Sequence, residues 1–219
     1  MAVLVKICGI NSIEAADAAV RAGADFVGLM FHPHSPRNLQ PAQAASLATH
    51  LQGRVRLVAV ASDASDGALA QIVDAVRPDF LQLHGAESPS RVAEIRARFG
   101  VSVIKSLALA EPGDLGAANA YEEAADMLLF DAKPPPGARR EGGHGAVFDW
   151  QILRGRRFAR PWLLGGGLTA DNVARAIGVS GAPGVDVSSG VETVPGVKSA
   201  DRIAAFVAAA RAARVGAAA

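Results

Sequence analysis

Two side chains in this 219-residue chain are suited to moving protons at carbon and oxygen. Cys8, the sole cysteine, ends an apolar run directly before Gly9, and Asp131 closes the run MLLF. One group that takes a proton and one that gives a proton, held on opposite sides of a small molecule, is an isomerase arrangement. Each also has a plainer reading. A lone cysteine is most simply a small buried hydrophobe, and Asp131 has Lys133 and Lys6 as candidate ion-pair partners. Lys6 and Cys8 share a face if their run is a strand, and a cation beside the sulfur would favour the thiolate.

Other stretches are suited to holding a charged ligand. LLGGGLTADNV places Gly165, Gly166 and Gly167 before a helix start, and GVDVSSGVE places Ser188, Ser189 and Gly190 after an apolar run. Exposed amides at a helix start take phosphate, and glycine lets the backbone come close. One such stretch alone is a tight turn; the two together point to phosphate. EGGHG (141–145) offers a third set of glycine contacts. Arg37, in HPHSPRNL, is suited to clamping a planar carboxylate through two parallel hydrogen bonds; the competing reading is a surface arginine. His32 and His34 give a weak metal signal without carboxylates or further cysteines nearby, and no metal is expected. His84 ends LQLH and reads as a rim histidine.

Eight apolar runs position these residues as predicted strands: 3–8, 26–31, 56–61, 80–84, 102–109, 127–132, 161–166 and 184–189. Amphipathic, Ala-rich segments alternate with them and predict helices over 12–23, 41–53, 66–78, 89–100, 114–126, 148–155, 169–178 and 199–213. Ser12, Thr169 and Ser199 are expected N-caps, and Gly23, Gly53, Gly100 and Gly178 expected stops. Strand–helix repetition implies parallel strands with crossover helices, and eight units in this length predict a single α/β domain, a closed (β/α)8 (TIM) barrel spanning 1–219. The competing open, doubly wound sheet would carry GxGxxG after its first strand, where CGINS stands instead. In a barrel the site lies at the carboxyl ends of the strands, and that is where the polar residues of the runs gather. The first and sixth strands lie three places apart around an eight-membered ring, so Cys8 and Asp131 face each other across its mouth. The tract 134–146 is a long Pro- and Gly-rich loop of the kind that is often functional.

Half the residues are hydrophobic, a fifth are charged and the net charge is +1. That charge is no footprint for nucleic acid or an anionic membrane. One cysteine excludes an internal disulfide framework and a multi-cysteine metal site, and fits a reducing compartment. No run approaches the ~18 apolar residues of a membrane span, and the first residues do not read as a signal peptide. A cytoplasmic protein is expected, as monomer or homodimer.

The motifs KICGI, SPR, LQLHG, FDAK, EGGHG followed by FDW, GGLT-x-x-NV and VDVSSGVE, in that order from Lys6 to Lys198, resemble those of the phosphoribosylanthranilate isomerases of tryptophan biosynthesis. The resemblance implies a TIM barrel without cofactor. It implies an Amadori rearrangement of N-(5′-phosphoribosyl)anthranilate to 1-(2-carboxyphenylamino)-1-deoxyribulose 5-phosphate. It makes Cys8 the general base and Asp131 the general acid, with Arg37 on the anthranilate carboxylate. Phosphate would rest on Gly166, Gly167, Ser189 and Gly190 beside Gly143 and Gly145, and His84, Asp186 and Ser188 complete the implied substrate contacts. His144 replaces the family's usual threonine, and VAVASD departs from its third-strand pattern. The alternatives are a sugar isomerase of histidine biosynthesis, in which an aspartate would end the first strand, and a barrel that only binds a phosphorylated ligand, which needs no Cys/Asp pair.

Overall fold

Parallel strands whose two edges each find a neighbour close on themselves, and the eight apolar runs do so here. The computed structural model describes residues 2–133 and 147–213. Its strands are β1 (Leu4–Cys8), β2 (Phe26–Phe31), β3 (Arg56–Ala61), β4 (Phe80–Leu83), β5 (Ser102–Leu109), β6 (Met127–Ala132), β7 (Trp162–Leu164) and β8 (Gly184–Val187). They pair in chain order, and β1 pairs with β8 through Leu4 opposite Gly184 and Lys6 opposite Asp186, which closes the barrel.

Alternation along each strand divides the side chains. One set, with Val5, Ile7, Val27, Leu29, Leu81 and Val103, packs outward beneath the helices. The other fills the lumen with Cys8, Phe26, Val58, Val60, Ile104, Met127, Leu129 and Leu163. Lys6, Gln82, Asp131 and Asp186 share the parity of this inward set, so the lumen is apolar at its base and polar toward its mouth.

The helices are α1 (Ile13–Ala22), α2 (Pro41–Leu51), α3 (Asp66–Val76), α4 (Pro89–Phe99), α5 (Ala118–Glu122), α6 (Val173–Ser180) and α7 (Ala200–Ala212). Ser12 and Ser199 cap as expected, accepting from the amides of Ala15 and Arg202; Ser65 and Ser88 do the same for α3 and α4. Four expectations are corrected. Segment 148–155 forms only a 3-10 turn, Trp150–Leu153, stopped by Gly155 at φ 69°. Phe158, beyond the turn, packs on Phe130 of β6 and Trp162 of β7, with ring centroids 4.8–5.6 Å apart. Segment 114–126 is not one helix: its first residues belong to a 3-10 turn over Pro112–Ala117, which contains Gly113 and Gly116, and only the short α5 follows. Helix α6 starts after Asn172 rather than at Thr169; Asn172 Oδ1 accepts from the Thr169 amide at 2.8 Å, and the Thr169 carbonyl accepts from the Val173 amide at 3.0 Å, so the residues between form a turn that leads into the helix. Gly178 lies inside α6, which stops at Gly181 in the left-handed conformation. Beyond β8, β9 (Glu192–Val194) and β10 (Val197–Lys198) form a small antiparallel hairpin.

Candidate active site

Cys8 ends β1 and is buried. Lys6, one inward position deeper, donates to Asp186 Oδ1 at 2.8 Å with no exposed surface of its own. Burial alone would lower the Lys6 pKa; the Asp186 carboxylate and the sulfur outweigh it, and the ammonium stays charged. Burial pushes the Cys8 thiol up, Lys6 and Lys198 pull it down and Asp186 adds to the rise. The net shift is upward, so without a ligand Cys8 is a thiol at neutral pH. Cys8 stands opposite Gly28 in the β1–β2 pair, and a Cβ at Gly28 would lie 3.0 Å from Sγ and 3.2 Å from Lys6 Nζ. Glycine there leaves the thiol and ammonium side by side.

Asp131 lies near the end of β6. Its Oδ1 accepts the Ala132 amide at 2.8 Å, and its Oδ2 is 3.4 Å from His84 Nε2. Neither expected lysine is its partner: Lys6 is on Asp186, and Lys133 is 3.6 Å from Asp114. His84 follows β4 directly, and its Nδ1 is 3.0 Å from Gln82 Nε2. A cavity of about 240 Å³ opens here, with Asp63, His84, Ser106 and Asp131 on its wall. A larger one, about 410 Å³, lies between α2 and α3 near the start of β3, the end of a barrel concerned with stability rather than chemistry.

The two glycine stretches touch. A Cβ on Gly190 would strike the Leu168 carbonyl, so the loop after β8 can lie on the loop after β7 only with glycine at that position. Gly166 and Gly167 have φ of 84° and 60°, and among the described residues no acceptor takes their amides. Successive free amides in such a bend form an anion-binding concavity. Asn172 holds the loop by donating to the Gly167 carbonyl at 3.0 Å. Ser188 Oγ turns from the mouth and donates to the Cys8 carbonyl at 3.1 Å; Asp186 lies deeper, on Lys6. Gly143, His144 and Gly145 lie outside the described residues.

Arg37 is not a surface residue: it is 2 % exposed. Its Nε and Nη2 donate to Glu192 Oε1 and Oε2 at 2.6 and 2.7 Å. Lys198 Nζ also donates to Glu192 Oε1 at 2.7 Å and to the Ser188 carbonyl at 2.9 Å. These bonds hold the Glu192 carboxyl down at about 2 against the opposing effect of burial; burial leaves Lys198 below its ordinary value. A second buried pair, Lys105–Glu87 at 2.7 Å, braces the loop after β4: Lys105 donates to the Gly85 carbonyl at 2.6 Å, and Glu87 takes the Asp63 amide at 2.8 Å. Sequence reasoning missed Gln82, Glu87, Lys105, Glu192 and Lys198. A signal existed for the lysines: the chain has only four among many arginines, and three of them are buried in ion pairs.

Among the described residues there is no cluster of three or more metal-ligating side chains, and no helix is long and apolar enough to cross a membrane. The family model described as N-(5′-phosphoribosyl)anthranilate isomerase matches residues 5–209. A relative of that name from Cereibacter sphaeroides is 53 % identical over 209 residues, covering 95 % of this chain and 99 % of its own. The crystal structure of phosphoribosyl anthranilate isomerase from Thermotoga maritima superposes with a TM-score of 0.85 at 36 % identity, over 95 % of this chain and 98 % of that one. A phosphoribosyl anthranilate isomerase in complex with reduced 1-(o-carboxyphenylamino)-1-deoxyribulose 5-phosphate gives 0.81 at 34 % identity, over 95 % and 98 %. With matches across nearly its whole length, this chain belongs to the N-(5′-phosphoribosyl)anthranilate isomerase family.

Proposed function

We propose that this chain converts N-(5′-phosphoribosyl)anthranilate to 1-(2-carboxyphenylamino)-1-deoxyribulose 5-phosphate, a step of tryptophan biosynthesis, with Asp131 as general acid and Cys8 as general base. One observation carries the reading. Going round the ring from β6 to β1, the strands between are β7 and β8, whose loops bear the glycine amides. A phosphate seated there hangs the ribose between the acid and the base.

In this reading Asp131 gives its proton to the ribose ring oxygen. The C1′–O bond breaks, and the anthranilate nitrogen supplies the electron pair that makes a protonated Schiff base. The Cys8 thiolate then takes the C2′ proton, and the C2′–H electrons move to form an enolamine with neutral nitrogen. Protonation at C1′ and loss of the C2′ hydroxyl proton give the ketone, so no atom is gained or lost overall. Lys6 enlarges the thiolate fraction, and Asp186 keeps Lys6 charged in the lumen. Arg37 takes the anthranilate carboxylate through the Nη1 edge left outside its pair with Glu192. Gly166, Gly167, Ser189 and Gly190 take the phosphate.

The direct test feeds phosphoribosylanthranilate to the purified protein and follows the loss of its fluorescence. Folded protein without turnover would end this reading. Cys8→Ala and Asp131→Asn should each keep the fold and lower kcat by at least ~100-fold, the usual worth of a positioned acid or base. Near-normal kcat in Cys8→Ala would return Cys8 to a structural role.

A further inference from the structure

Of the buried polar side chains that the mechanism leaves unused, one touches the histidine beside Asp131. Gln82 points into the lumen at 1 % exposure. Among the described residues its Oε1 has no hydrogen-bond partner, and its Nε2 meets only His84 Nδ1, at 3.0 Å. A leucine or methionine would fill the same space without an unpaired amide oxygen, and an unpaired buried polar atom asks for a role. The role open to Gln82 is its one bond.

We propose that Gln82 is a positioning residue for the acid step, a reading that rests on Asp131 being the general acid. The amide nitrogen can only donate, so His84 Nδ1 accepts and carries no proton. A neutral imidazole has one proton, which therefore sits on Nε2, the atom 3.4 Å from Asp131 Oδ2. His84 is thus held as a donor aimed at the acid. The Ala132 amide already donates to the other carboxyl oxygen at 2.8 Å. When Asp131 gives up its proton, both oxygens of the new carboxylate meet an N–H. Because Nδ1 accepts from Gln82, the ring turns an N–H, and not a lone pair, toward Asp131. The 3.4 Å separation shortens to a full hydrogen bond as charge develops on Asp131, as catalytic contacts do when a site fills.

The experiment is 15N NMR of the histidine-labelled full-length enzyme, with His84 assigned through His84→Gln, paired with steady-state kinetics of Gln82→Met. In the wild-type enzyme at neutral pH, His84 should show a protonated Nε2 and a bare Nδ1. A protonated Nδ1, or an imidazolium, overturns the proposal without needing any variant. In Gln82→Met the two tautomers should mix, kcat should fall ~10–100-fold, the scale for losing an outer-shell orienting partner, and KM should stay within about threefold. Unchanged His84 signals, or a raised KM with intact kcat, overturns it as well. Should Asp131→Asn keep its rate, the acid assignment fails by itself, and the His84 tautomer is still read independently of activity.

Discussion

Replacing Glu192 by glutamine removes one charge and almost no volume from a group that accepts two hydrogen bonds from Arg37 and one from Lys198. The carboxyl is held at about 2, against an ordinary 4.5. That difference corresponds to about 3 kcal/mol of stability at neutral pH, at ~1.4 kcal/mol per unit. Breaking a buried ion pair from one side costs a similar ~3–5 kcal/mol. Because burial also pushes Lys198 down, the lower figure is the better guide, and in a domain of this size it lowers Tm by roughly 6–12 °C. A depressed carboxyl stabilises fully above its unfolded value and loses that contribution as pH falls through its folded one. The window therefore runs from about 4.5 down to 2. Urea unfolding of both proteins, followed by the fluorescence of Trp150 and Trp162, should show Glu192→Gln less stable by about 3 kcal/mol at pH 7 and by about 1.5 kcal/mol at pH 3. A difference below about 1 kcal/mol at pH 7, or one equal at both pH values, refutes the reasoning.

Arg37→Ala should couple to Glu192→Gln, with the double variant losing less stability than the two losses added, as residues in one network do; strict additivity would separate them. Gly190→Ala should drive a methyl into the Leu168 carbonyl, raise KM at least about tenfold (~1.4 kcal/mol) and abolish competitive inhibition by inorganic phosphate. Unchanged inhibition would place phosphate elsewhere. Lys6→Met should leave Asp186 buried and alone, costing about 3–5 kcal/mol. It should also push the Cys8 thiol further up, so that alkylation by iodoacetamide reaches half its limiting rate at a higher pH than in the wild type; an unmoved midpoint removes Lys6 from the thiol's surroundings.

The barrel was readable because its evidence is local. Short apolar runs such as Leu4–Cys8 and serines such as Ser12 state their conformation within a few residues, and counting units does the rest. Where the reading failed, neighbours decided. Trp150–Leu153 is only a turn, with Gly155 beyond it in the left-handed conformation and Phe158 packed on Phe130 and Trp162, and α6 starts late, after a turn in which Asn172 accepts from the Thr169 amide. The residues that end strands were found by position alone. Their partners were not: Arg37 meets Glu192 across 155 positions, and Gln82 meets His84 in a contact that alternation puts on one face but that nothing in LQLHG marks as a hydrogen bond. Gly28 carried a usable signal, since a glycine within a strand points to a close approach.

Lys6 and Asp186 are 180 residues apart, one on the first strand of the barrel and the other on the last. During synthesis, β1 leaves the ribosome long before β8 exists. Over that interval it lacks a neighbour on one edge, and its lysine lacks the carboxylate that makes the lumen tolerable for it. A product cut short before Asp186 exposes open edges on β1 and β7, the kind of edge that recruits other chains, and sets an unmatched cation beneath its only thiol. Completing the chain thus seals the ring and neutralises the cation under Cys8 in one event, so closure of the barrel and restraint of its thiol depend on the same last strand.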